Sequence, residues 1–116
     1  MRSLTASSCG CAIALVLSLA TAPALAQEGL ANLHSWVRIG NRICFTDHFH
    51  NGSGTGATQK QAMASAIQDW AGFTGWEYGA HWAVWALAET KRASCVPSGG
   101  AWSCQIEARP CKSARR

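Results

Sequence analysis

Lys91-Arg-Ala-Ser-Cys95-Val-Pro-Ser-Gly-Gly100-Ala-Trp-Ser-Cys104-Gln-Ile-Glu-Ala-Arg109 is the stretch on which the fold turns. With Gly99-Gly100 as a two-residue hairpin turn, Ser98 faces Ala101, Pro97 faces Trp102, Val96 faces Ser103 and Cys95 faces Cys104. The Ser98/Ala101 pair is hydrogen-bonded in such a turn, so Pro97/Trp102 and Cys95/Cys104 are non-hydrogen-bonded pairs. Pro97 then sits where its partner does not need its missing N–H. Cys95 and Cys104 oppose each other at the closer Cα spacing, which suits a cross-strand disulfide. The second strand alternates. Trp102, Cys104, Ile106 and Ala108 point to an apolar side, and Ser103, Gln105, Glu107 and Arg109 to a wet one.

Outward from the hairpin, Pro110 ends the strand and Cys111 ties the tail back. Beyond residue 26 the cysteines are Cys44, Cys95, Cys104 and Cys111, which allow three connectivities. The hairpin register takes Cys95 with Cys104 and leaves Cys44 for Cys111. No C-x2-C pair is present, so the spacing favours disulfides over a zinc site. The compartment agrees. Residues 1–26 read as an export signal: Arg2, a short apolar run from Cys11 to Ala20, and Ala24-Leu25-Ala26 as an A-x-A cleavage site. The run is too short to span a bilayer, and no later apolar run is long enough either. Cys9 and Cys11 leave with the signal and no lipobox follows. The mature chain is expected to start at Gln27, in the periplasm or outside the cell, where thiols oxidise.

Losing 26 of 116 residues leaves 90. That is one small domain, 27–116, of a size that often needs covalent staples. Nine of the ten Lys/Arg remain against six Asp/Glu, for a mild net +3. Lys112, Arg115 and Arg116 form a basic tail that can touch anionic lipid or a cell-envelope polymer. Its ordinary reading is a solvated terminus. There is no basic stripe, zinc finger or RNA-binding signature, so nucleic acid is not an expected partner.

Before the hairpin, residues 27–34 read as a flexible lead-in. Two short apolar runs, Trp36–Ile39 and Arg42–Thr46, flank Gly40-Asn41 and suggest a hairpin or bent strand. Asn51-Gly-Ser-Gly-Thr-Gly56 reads as a loop by composition. It lacks the Walker Lys-Ser/Thr and the G-x-G-x-x-G pattern, so it is not a nucleotide cradle. A helix is expected from Thr58 to about Phe73. Thr58 and Gln61 form a capping box, Met63, Ala66, Ile67, Trp70 and Phe73 share a face, and Gly72 and Gly75 mark the stop. Residues 76–90 fit helical spacing and alternation alike. The preferred reading is a strand from about Trp82, after a turn at Tyr78-Gly79. The fold class is therefore α+β: one amphipathic helix packed on a small antiparallel sheet of three to five strands, with a C-terminal disulfide-stapled hairpin.

The chemistry-bearing groups are few. In Asp47-His48-Phe49-His50, an extended chain would project both imidazoles from one face, which can begin a zinc or copper site. His34 or His81 could supply a third ligand. Six tryptophans are many for this length. Trp70 and Trp102 fall on apolar faces, whereas Trp76, Trp82 and Trp85 are candidates for stacking against a glycan. For hydrolysis there is no G-x-S-x-G, and the cysteines are taken. Of the sparse carboxylates Asp47, Asp69, Glu77, Glu89 and Glu107, Asp69 and Glu107 fall on solvent faces by pattern, and no facing pair is evident.

The order Trp70, Tyr78-Gly79, Trp82, Ala88, Cys95, Trp102-Ser-Cys104, Ala108-Arg-Pro-Cys111 resembles that of small exported proteins of rhizobia and related alphaproteobacteria. The resemblance spans Asp69 to Cys111. It implies a bacterial periplasmic or secreted setting and a helix-plus-hairpin core, and carries no activity or catalytic residue. The expected function is a disulfide-stapled module of binding or structural type rather than an enzyme. The alternatives are zinc or copper binding through His48 and His50, and a binder of a glycan or secreted enzyme using exposed tryptophans.

Overall fold

The structure, a computed structural model, describes residues 29–115. The export signal at residues 1–26 with Cys9 and Cys11, the expected start at Gln27, and Arg116 lie outside them. Six strands, β1 (Trp36–Ile39), β2 (Arg42–Phe45), β3 (His50–Gly56), β4 (Glu89–Ser98), β5 (Ala101–Arg109) and β6 (Cys111–Ser113), and one long helix, α1 (Gln59–Tyr78), make up the regular structure. The strands form two three-stranded antiparallel sheets, ordered β1-β2-β6 and β3-β5-β4.

The hairpin register holds residue for residue: Ser98 faces Ala101, Pro97 faces Trp102 and Cys95 faces Cys104. Both disulfides form, Cys95–Cys104 and Cys44–Cys111, the second across β2 and β6. Gly40 takes a φ of 59° in the tight turn between β1 and β2, where Ile39 pairs with Arg42.

The glycine-rich segment corrects the loop reading. Residues 50–56 are β3, paired along its length with β5. Alternation puts His50, Gly52, Gly54 and Gly56 on one face, against α1. The helix backbone comes so close that a Cβ at Gly52 would lie 2.4 Å from the Ala66 carbonyl oxygen, and one at Gly54 2.4 Å from the Ala66 nitrogen. The glycines therefore serve close approach, not flexibility. The strand–helix seam continues through Ala62, Ala66 and Trp70, all fully buried. Cys104, Ile106 and Ala108 of β5 complete this core.

Thr58 caps α1 and exchanges bonds with Gln61 in a capping box. The helix does not stop near Phe73 as Gly72 and Gly75 suggest. It runs to Tyr78, and Gly79, at φ 97°, ends it. The buried stripe steps by four: Ala62, Ala66, Trp70, Thr74, Tyr78. Met63 and Ile67 flank it part-buried, whereas Phe73, read as core, is 49% exposed. Packing of this stripe outweighs the cost of two helical glycines, about 1 kcal/mol each.

The strand expected from Trp82 is also corrected. Residues 80–82 and 85–87 are single 3-10 turns, and β4 begins at Glu89. Trp82 leaves the alternation because its ring stacks on Phe45, with centroids 4.2 Å apart and planes 4° from parallel. A second core gathers there, from Phe45, Tyr78, Trp82 and Ala31 of the 3-10 turn Gly29–Leu33. No helix among the described residues is long and apolar enough to cross a membrane.

Candidate metal centre

His50 opens β3 on the face otherwise held by glycines, and it is the one residue there with a side chain to place. Opposite it, the last two turns of α1 present Thr74, Glu77 and Tyr78. His48 enters from the bend between β2 and β3, and His34 from the segment after the first 3-10 turn. His50 Nε2 lies 3.0 Å from His48 Nε2, 3.0 Å from Glu77 Oε2 and 3.2 Å from Tyr78 Oη. Tyr78 Oη is 2.6 Å from His48 Nε2 and 3.2 Å from His34 Nε2. The candidate ligand atoms of His48, His50 and Glu77 all lie within 4.8 Å of one another.

Thr74 sets the protonation of His50. Its hydroxyl donates its single hydrogen to the Trp70 carbonyl, at 2.7 Å. Towards His50 Nδ1, 2.9 Å away, the same oxygen must accept. Neutral His50 thus carries its hydrogen on Nδ1 and offers a lone pair at Nε2, the tautomer a metal ligand needs.

Burial holds His50 neutral. It pushes the pKa down to about 4, against the opposing pull of Glu77. The close approach of His50 and Glu77 is therefore no ion pair at neutral pH. His48 is lowered as well, by burial and then by His34. The Tyr78 phenol is held above its usual range, by burial and then by the charge of Glu77, so it keeps its proton.

Hydrogens then run short. Tyr78 has one to give among three imidazole nitrogens. Between His50 Nε2 and Glu77 Oε2 there is none, and two acceptors face each other at 3.0 Å. Such a convergence of lone pairs is suited to a cation. Phe73, with its ring centroid 4.8 Å from His50, and Phe45, 6.0 Å from His48, give the cluster an apolar surround. A small cavity of about 170 Å³, lined by His34, Asp47 and His48 among others, opens beside it.

The structure thus brings His48 and His50 together, though across a bend rather than on the face of one strand. Glu77 joins them, with His34 hydrogen-bonded at the rim. His81 is exposed on the 3-10 turn at 80–82 and is not among the grouped ligands. The signal for Glu77 lay in the four-residue step from Trp70 to Thr74 to Tyr78, which carries the helix past both glycines. The other carboxylates are placed elsewhere. Asp69 accepts the Ser53 N–H at 2.9 Å, Glu89 pairs with Arg42, and Glu107 lies 3.6 Å from Arg92.

The three candidate stacking tryptophans are dispersed. Trp82 is 2% exposed, and Trp85 is half-buried edge-on to Trp70. Trp76 is 81% exposed, stacked on Phe73 with centroids 6.3 Å apart. Trp36, not singled out by the sequence, is 54% exposed. Compared with protein-family models, curated proteins and solved structures, the chain matches none, and nothing found there bears on the resemblance to exported rhizobial proteins.

Proposed function

We propose that this disulfide-stapled chain is an extracytoplasmic binding module that holds a divalent transition metal, zinc or copper, on His48, His50 and Glu77. The carrying observation is the His50 Nε2 lone pair, fixed by Thr74 and aimed at His48 Nε2 and Glu77 Oε2, each 3.0 Å away. Bonds of about 2.0 Å to a tetrahedral zinc set its ligands about 3.3 Å apart, close to those spacings. Two imidazoles and a carboxylate suit zinc or copper better than calcium or magnesium, which prefer all-oxygen sets. Thr74 would orient His50 from behind. Tyr78 would hold His48 and His34.

Binding is favoured over catalysis because the cavity beside the cluster is about 170 Å³, below the roughly 300 Å³ where small-molecule sites begin. The two disulfides support an oxidising compartment, periplasmic or secreted.

Calorimetric titration of the oxidised protein with zinc and with copper tests the reading. One metal should bind at a single site. Glu77→Gln, at a half-exposed position, should weaken it about tenfold without unfolding the chain. His48→Ala with His50→Ala should abolish it. No heat from either metal, or affinity unchanged in these variants, would overturn the proposal.

A further inference from the structure

The face of the β1-β2-β6 sheet that carries Trp36 has a different chemistry. The register sets Arg38, Ile43 and Lys112 opposite one another, and alternation adds Trp36 to the same face. Over this face lies a cleft of about 320 Å³, walled by Trp36, Ile43, Trp82, Lys112, Arg115 and Asn32. No acidic residue lines it. Lys112 Nζ sits 5.0 Å from the centre of the Trp82 ring, so a cation stands at the floor beside an aromatic plane. The Trp82 indole N–H, in the same wall, is buried without an acceptor among the described residues. Trp36 is more than half exposed on a strand that has no neighbour on its outer side.

Donors, cations and one open indole face together specify a ligand. It must carry a negative charge, accept hydrogen bonds, and present a flat apolar side. We propose that this cleft binds an acidic saccharide, with the C–H face of one uronic acid ring lying on Trp36 and its carboxylate reaching Lys112 and Arg115. A guanidinium and an ammonium at one end supply charge-assisted bonds to the carboxylate. Asn32 is placed for a ring hydroxyl. The volume suits one or two sugar rings rather than a duplex, and the cations form a short cluster rather than a backbone-tracking stripe. The proposal does not rest on the metal reading, because none of the grouped ligands lines this cleft.

Calorimetry with trigalacturonate at neutral pH and low salt tests it, without added metal, since uronates bind divalent cations themselves. The acid should bind, and its methyl ester at least about tenfold more weakly. Trp36→Ala and Arg115→Gln should each lose about tenfold, with the urea midpoint unchanged, while Trp36→Tyr keeps most of the affinity. His48→Ala should leave the saccharide affinity as it was, even if it loses metal. The proposal is overturned by the absence of heat with trigalacturonate, by equal binding of the ester, or by indifference to Trp36→Ala. It is overturned equally if benzoate or a thymidine oligonucleotide binds more tightly with the same dependence on Trp36.

Discussion

One helix and one strand meet along a single seam, and its two ends do opposite things. At the glycine end, Gly52, Gly54 and Gly56 let the backbone of β3 touch the backbone of α1 at Ala62 and Ala66. Nothing polar separates them. At the histidine end the same alternation delivers His50, and the same four-residue helical step delivers Thr74 and Tyr78. There, side chains occupy the interface and their lone pairs converge. Each end has its own disulfide. Cys104 is the β5 partner of Gly54, and Cys44 lies just ahead of the bend that carries His48. Identical periodicities thus build a dry contact and a polar site. What differs is whether each inward position carries a side chain.

The two staples should differ most. Cys44–Cys111 closes a loop with a separation of 67 and Cys95–Cys104 one of 9. On the chain-entropy model Cys44→Ser with Cys111→Ser costs about 4 kcal/mol, and the hairpin pair about 2–3. Urea unfolding of the two double variants checks the order. Equal losses would mean that the reduced chain keeps the long loop closed by other contacts.

Next in size is the seam itself. Gly54→Ala sets a Cβ against the Ala66 backbone nitrogen, which cannot yield as a side-chain tip can, and should cost about 3 kcal/mol. The helix must then lift from the strand. A far smaller loss would show that the two backbones are not pressed together.

The histidine end should respond to pH as the glycine end does not. His50 has a folded pKa of about 4 against an ordinary 6.5, and it is 3% exposed. Between those values the unfolded chain binds the proton and the folded one does not, so stability rises with pH across this window. In chelator, stability should be full above pH 6.5 and fall by about 3 kcal/mol on the way to pH 4, then level off for this group. His50→Gln should flatten that slope. A slope unchanged by the substitution would place the titration elsewhere.

The smallest effects sharpen the contrast from the helix side. Thr58→Ala removes the cap at the glycine end and should cost about 1 kcal/mol. Gly72→Ala meets open space on the exposed side of α1 and should stabilise by about the same amount. Thermal or urea midpoints of the two variants should therefore move in opposite directions, and a loss at Gly72 would point to a contact on that side of the helix.

Legibility in the sequence followed the same division. The β4–β5 hairpin was readable because a two-residue turn and strict alternation are both local, and both disulfides followed from its register. The Thr58–Gln61 capping box was local too. The glycine end was not readable as a strand. A glycine placed for close approach carries no hydrophobic signal, and the helix it accommodates appears only later in the chain. Gly72 and Gly75 hid the last turn of α1 for a related reason. Their intrinsic cost was visible, whereas the packing of Thr74 and Tyr78 that offsets it was tertiary. Glu77 was hidden with that turn. His48 and His50 stood out as a pair. Their third companion depended on where the helix ended, and His81, a plausible ligand by residue type, is placed on an exposed turn.

Three positions that perform no chemistry are also the ones least able to change. At residues 52, 54 and 56 every other amino acid begins with the Cβ that the helix backbone excludes. In a saturation library selected for folding, these columns should empty first, ahead of His48 and Glu77, whose loss need not unfold the chain. Among descendants of this gene the glycines would be retained as firmly as a catalytic triad is elsewhere. A search that ranked residues by invariance would therefore settle on the inert half of the seam and pass over the half that can hold a ligand.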